Sequence, residues 1–119
     1  MPLPEVFAEY ERLDADAVLF STTGPGSVFA LQAQAHAATN SYWVSYSASA
    51  QNDVAASGVI DPHGDWRARC DAGTASLAIV DVQSEVDDLA RPWRRIARTG
   101  VYDSHRVHDD RRSQDKCRF

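Results

Sequence analysis

Four groups of residues in this sequence have types suited to chemistry. His105-x-x-His108, followed by Asp109, Asp110 and Cys117, carries side chains that ligate transition metals. These residues lie in a charged run with no rigid element to fix a coordination geometry, so they read as a solvated tail. Cys70 follows Arg67 and Arg69, cations that lower a thiol pKa where they converge on it. No His or Glu in its neighbourhood is an obvious base, and Cys70 reads as a structural thiol. Arg91, Arg94, Arg95 and Arg98 recur at helical spacing and offer an anion site, but Glu85, Asp87 and Asp88 nearby favour a solvated, charge-paired helix face. The fourth group, Ser21, Thr22 and Thr23, ends an apolar run, and in an α/β sheet the C-terminal strand ends are where ligands bind. The same hydroxyls also serve turns and helix caps.

Several nucleophile and phosphate signatures are missing. The glycines of Gly24-Pro25-Gly26-Ser27 lack the spacing of a phosphate loop, and no G-x-S-x-G elbow presents a serine. Trp43, Trp66 and Trp93 fall in different elements and read as packing residues rather than a stacking platform. No metal site and no cofactor is expected.

Elements must position these groups. Pro4 opens a helix over residues 4–13, with Val6, Phe7, Tyr10 and Leu13 on one face. Ala17-Val18-Leu19-Phe20 is a short buried strand, and Ser27 is placed to cap a second helix that Asn40 ends. Tyr42 to Ser47 alternates as a strand, and Val54 to Ile60 reads as another. Asp61-Pro62-His63-Gly64 has the residue order of a type I turn, joining that strand to one over Trp66 to Cys70. A further strand is expected over 77–82 and a charged helix over 85–99, interrupted or restarted at Pro92. The 103–119 tail has too little apolar content to bury itself. The order predicts a layered α/β fold, a mixed sheet covered by helices on at least one face.

With 119 residues, 44% of them hydrophobic, the chain has enough apolar material for one core. A net charge of −5 offers no general attraction to nucleic acid or to anionic lipid. There is no apolar run long enough for a membrane span and no secretory leader pattern, so the reading is a cytoplasmic protein. Cys70 and Cys117 lie far apart and suggest neither a disulfide framework nor a zinc knuckle.

Four segments, taken in order, resemble the second half of the carbon–nitrogen hydrolase (nitrilase-like) domain. "PLPEVFAEYERLDADAVLFST" resembles the stretch after that family's nucleophilic cysteine, with Pro4 and Glu5 on its Pro-Glu. "LQAQAHAATNSYWVSYSA" resembles its R-A-x-E-N and aromatic strand, with Asn40 on the Asn. "ASGVIDPHGDW" is similar to its G-x-S-x-I-x-D-P-x-G hairpin through Ser57, Ile60, Asp61, Pro62 and Gly64. "ARPWRRIARTGVYDSHRV" is similar to its R-x-x-x-R-R-x-x-Y ending through Arg94, Arg95 and Tyr102. Pro2, His36, Thr39 and Ala55 depart from the pattern.

The resemblance implies the C-terminal half of an α-β-β-α sandwich, a partial domain over 1–102 followed by the 103–119 tail. It implies hydrolysis of amide, carbamoyl or nitrile C–N bonds by a Glu base, an oxyanion-stabilising Lys and a Cys nucleophile, all upstream of Met1. No catalytic residue is therefore expected within the chain, which should be inactive alone. Ser21, Thr22 and Thr23, and more weakly Tyr46 and Ser47, are the expected substrate-binding positions. The substrate, a small amide or nitrile, would bind only with the other half supplied. The alternative is a non-catalytic binding or interaction subunit that pairs with a partner, or with itself, to complete the sandwich. Either reading predicts a homo-oligomer or a complex.

Overall fold

The computed structural model describes residues 4–23, 27–51, 53–83, 91–93 and 96. The chain divides into two compact units, Met1–Asp88 and Leu89–Phe119. In the second unit the described residues 91–93 and 96 are helical, as the sequence predicts for that stretch. Arg94, Arg95, Arg98, Tyr102, the 103–119 tail with His105 and His108, and most of the stretch expected as a helix over 85–99 lie outside the described residues.

The first unit is a mixed α/β layer. Its elements are α1 (Pro4–Arg12), β1 (Ala17–Thr22), α2 (Val28–Asn40), β2 (Trp43–Ala48), β3 (Gly58–Ile60) and β4 (Trp66–Arg69). The sheet runs β1-β2-β3-β4, with β1 and β2 parallel and the other neighbours antiparallel. The β1–α2–β2 crossover accounts for the parallel pair, since parallel strands need a connection that returns along the sheet. Asp61 to Gly64 makes the tight connection of the β3–β4 hairpin, where the Gly64 amide donates to the Asp61 carbonyl at 2.9 Å. Gly64 sits at φ +88°, a conformation that glycine adopts without steric cost.

Both helices lie on one face. Phe7 of α1 and Ala30, Ala33 and Ala37 of α2 join Val44, Tyr46 and Ile60 in the core, with Val18, Phe20 and Trp66 packed against it. The small α2 residues let the helix approach the sheet closely, and aromatic rings fill what remains. Phe20 lies 5.6 Å from Phe7 and 5.7 Å from Tyr46, and Tyr46 lies 6.2 Å from Trp66. Such offset pairs contribute beyond their buried area.

Four expectations need correction. The Ala17–Phe20 run, expected to be buried, is covered on one face alone, with Val18 and Phe20 half-buried beneath the helices and Leu19 83% exposed on the other. Residues 77–82 form no strand: the segment forms no ladder, and Leu77 and Ile79 are 85% and 83% exposed. Its alternating pattern suits a strand, but a strand also requires a neighbour to pair with, and none of the described residues pairs with it. The strand expected over 54–60 contracts to Gly58–Ile60. Ser57 ends it, because its hydroxyl takes the Ala48 amide at 2.9 Å and replaces a ladder bond. Ser27 occupies the cap position of α2 without a side-chain cap, since its φ −82° and ψ −11° are already helical. At the other end α2 stops at Asn40, as expected, and Ser41 takes the left-handed cap conformation.

His36 gives the fold a pH dependence. Its ring stacks on Phe7 at 3.9 Å and 2°, and burial lowers its pKa below the usual 6.5. The unfolded chain therefore binds the proton first. The contribution of His36 is full above about pH 6.5 and is lost as the pH falls below it. Urea midpoints at pH 7.5 and 5.5 should differ more for the wild type than for His36→Phe, which keeps a stacked ring and cannot titrate.

Candidate functional site

The parallel pair β1–β2 places its C-terminal ends side by side. Register sets Ser21 beside Ser47 and Phe20 beside Tyr46, with Thr22 beside Ala48. Strand alternation then separates the expected site residues. Ser21 and Ser47 are exposed and stand on the face opposite the helices, together with Leu19 and Ser45. Thr22 and Tyr46 point toward the helix side, half-buried and buried respectively, and Thr23 is exposed beyond the strand. Two of the five expected positions, Ser21 and Ser47, are therefore neighbours on one surface.

The open face holds a cleft of about 350 Å³. Ser45, Ser47, Val59 and Cys70 line one side of it and Ser76, Leu77 and Ala78 the other, with no charged residue among the lining. A second, smaller cleft of about 80 Å³ adjoins the end of β2 and shares Ser57 and Cys70 with the first. Sequence reasoning missed Ser45, Ser57 and Ser76. A local pattern marked Ser57 as a hairpin residue alone, and the convergence of the three depends on the hairpin and on the 76–78 segment returning across β2.

Cys70 is half-buried, and its backbone amide is held by the Ser57 carbonyl at 2.8 Å. The two arginines do not converge on it. The Arg67 Nε lies 3.8 Å from Asp61 Oδ2, and the Arg69 guanidinium lies over the Trp66 ring at 4.6 Å. The β-bulge between Val59 and Ile60 brings Trp66 and Arg69 together despite their odd spacing. Trp43 is buried by a hydrogen bond from Nε1 to the Gln83 carbonyl at 3.0 Å, while Trp93 is 65% exposed. Among the described residues no group of three or more His, Cys, Asp or Glu could hold a metal ion, and no helix is long and apolar enough to cross a membrane.

Tyr46 belongs to the core as much as to any site. Its hydroxyl is buried without a hydrogen-bond partner, and burial raises its pKa above the ordinary phenol value. Removing an unsatisfied hydroxyl recovers its desolvation cost. Tyr46→Phe is therefore expected to leave stability unchanged or raise it by about 1 kcal/mol in chemical denaturation; a loss of that size would mean that the hydroxyl has a partner.

The fold and this surface define a mixed α/β protein with a hydroxyl-lined cleft on the sheet face opposite its helices. No family model matches the sequence, and no curated protein matches it.

Proposed function

We propose that this chain is the C-terminal half of a carbon–nitrogen hydrolase-like α-β-β-α sandwich. In this reading it supplies pocket hydroxyls, Ser21 and Ser47 foremost, to a site whose Glu, Lys and Cys belong to the other half. The observation that carries the reading is the open sheet face. Both helices cover one side; the other is crossed in part by the 76–83 segment, which buries Trp43, and presents Ala17, Leu19, Ser21, Ser45, Ser47, Val59 and Ala68 without a charge, in a chain with 24% charged residues. A sheet face without charges suits packing against a second sheet rather than permanent contact with water. Among the described residues no strand neighbours β1 on the side away from β2, and the strand that would lead into α1 is placed there in this reading.

In the assembled site the hydroxyls would orient an amide or nitrile by hydrogen bonding. Thiolate attack on an amide would break its C–N bond and form an acyl-enzyme, the Glu passing a proton to the departing amine and the lysine stabilising the oxyanion, and water would then release the acid; a nitrile would give a thioimidate that water converts with loss of ammonia. No position in this chain matches any of those three residues. Cys70 cannot serve as the nucleophile in this reading.

Two measurements test the proposal. Sedimentation of the purified chain should show self-association at micromolar concentration, or a partner retained from its source, and a well-behaved dilute monomer would count against an unfinished sandwich. Hydrolysis of simple amides and nitriles should be absent and indifferent to Cys70→Ser. A turnover that Cys70→Ser abolished would place the nucleophile in this chain and overturn the assignment.

A further inference from the structure

The two helices are held unequally. Of the 13 residues in α2, Ala30, Ala33, Ala37 and Asn40 are buried; α1, with nine, buries Phe7 and Glu11 alone. Val6, Tyr10 and Leu13, the rest of its expected apolar face, are 42%, 40% and 70% exposed. A helix this short does not persist in water by itself, so α1 is helical because it is docked.

The seat for Phe7 comes largely from the end of α2 and the residues that follow. The Phe7 ring lies flat on His36 at 3.9 Å and meets Phe20 edge-on at 5.6 Å. The Tyr42 hydroxyl donates to the Phe7 carbonyl at 3.1 Å. Asn40 steadies that hydroxyl, with Nδ2 donating to it at 3.4 Å and to the His36 carbonyl at 3.0 Å. Burial pushes the Tyr42 phenol well above its ordinary pKa, the Asn40 bond opposing this and Tyr10 adding to it, so the donor proton stays in place.

The chain reverses between α1 and β1. The amides of Leu13, Asp14 and Ala15 bond back to Glu9, Glu11 and Tyr10, and Asp14 turns the chain at φ +61°. At Asp16, whose carbonyl takes the Trp43 amide at 3.0 Å, the chain joins β2.

We infer that α1 is a latch, a helix that docks and undocks as one unit about Asp14 while the sheet stays folded, with Tyr42 and His36 positioning it through Phe7. The functional meaning rests on the hydrolase-half reading, in which the nucleophile position directly precedes α1. About 4.5 Å of helix rise separates Phe7 from Pro4, so the Phe7 seat sets where the chain entering α1 stands.

Hydrogen–deuterium exchange on the full chain tests the latch. The amides of residues 8–12 are expected to exchange through an opening that leaves residues 44–46 protected, as separate cooperative units do. Tyr42→Phe should speed exchange in α1 about fivefold, the effect of one hydrogen bond, and leave β2 unchanged. Phe7→Ala should abolish protection of α1; if that variant fails to fold, Tyr42→Phe and His36→Ala decide. A common exchange rate for α1 and β2 in the wild type, or equal acceleration of both by Tyr42→Phe, would overturn the latch. These outcomes do not depend on hydrolysis, so a Cys70-dependent turnover would sink the hydrolase-half reading and leave the exchange result standing.

Discussion

Gly58→Ala is expected to destabilise the protein by about 3 kcal/mol, the upper end of what overpacking a close-fitted core usually costs. Gly58 pairs with Tyr46 on one side and Arg69 on the other, so it is enclosed by the sheet. An added Cβ would run into the Ala68 carbonyl oxygen and would stand 2.9 Å from two atoms of the Trp66 ring. Neither neighbour can move freely. The carbonyl belongs to β4, and the ring is wedged against Tyr46 with Arg69 over it. Relief would require β3 and β4 to part, opening the floor of the cleft where Ser57 and Cys70 meet.

Urea unfolding checks this, with the midpoint falling and the slope unchanged. Gly73→Ala is the comparison. Gly73 has φ +74°, and its added Cβ would meet Asp53 at 3.4 Å, an ordinary contact. Only the backbone conformation then resists, at about 1 kcal/mol. If Gly58→Ala were as mild as Gly73→Ala, the β3–β4 hairpin would have room to slide.

Asp61→Ala is expected to cost about 2–3 kcal/mol, because the carboxylate it removes organises the hairpin turn. Oδ1 accepts from the His63 amide at 2.9 Å and from the Asp65 amide at 3.0 Å. The Asp61 amide donates to the Asp65 carbonyl at 2.9 Å, so the residue closes the turn from both its backbone and its side chain. The residue is only 6% exposed, which leaves little water to replace the lost acceptor. The Arg67 contact matters less, because at 3.8 Å its guanidinium side is 59% exposed and solvent screens it.

Asp61→Asn separates these contributions. An amide oxygen can keep both turn bonds, so this variant should retain most of the stability that Asp61→Ala loses. Equal losses for Asn and Ala would assign the effect to the charge instead. The turn also docks onto α2, where Gln34 Nε2 donates to the Gly64 carbonyl at 3.0 Å. Disorder in the turn should therefore reach the helix.

Ser21 and Ser47 are neighbours on the exposed face, and neither Arg67 nor Arg69 turns toward the half-buried Cys70 thiol. A hydroxyl without activation is a binding group rather than a nucleophile. In the proposed reading these hydroxyls would orient a substrate as part of a pocket wall.

The residues that speak locally were legible in the sequence. Phe7 at helical spacing, the Ala17–Phe20 apolar run, the alternating Trp43–Ser47 segment and the Asp-Pro-His-Gly turn each carry their own geometry, and each forms the expected kind of element. Side-chain periodicity and turn chemistry act over a few residues, so neighbours suffice to read them. Whether residues 77–82 pair, which strands run parallel, and which of Ser21, Thr22, Tyr46 and Ser47 share a surface were decided only by the tertiary structure. Those outcomes turn on register, where a one-residue step moves a side chain to the opposite face. The Tyr42 hydroxyl on the Phe7 carbonyl, joining residues 35 apart, is likewise a contact no local pattern announces. Local chemistry in the chain chose the pieces, and long-range pairing chose which hydroxyls face the cleft.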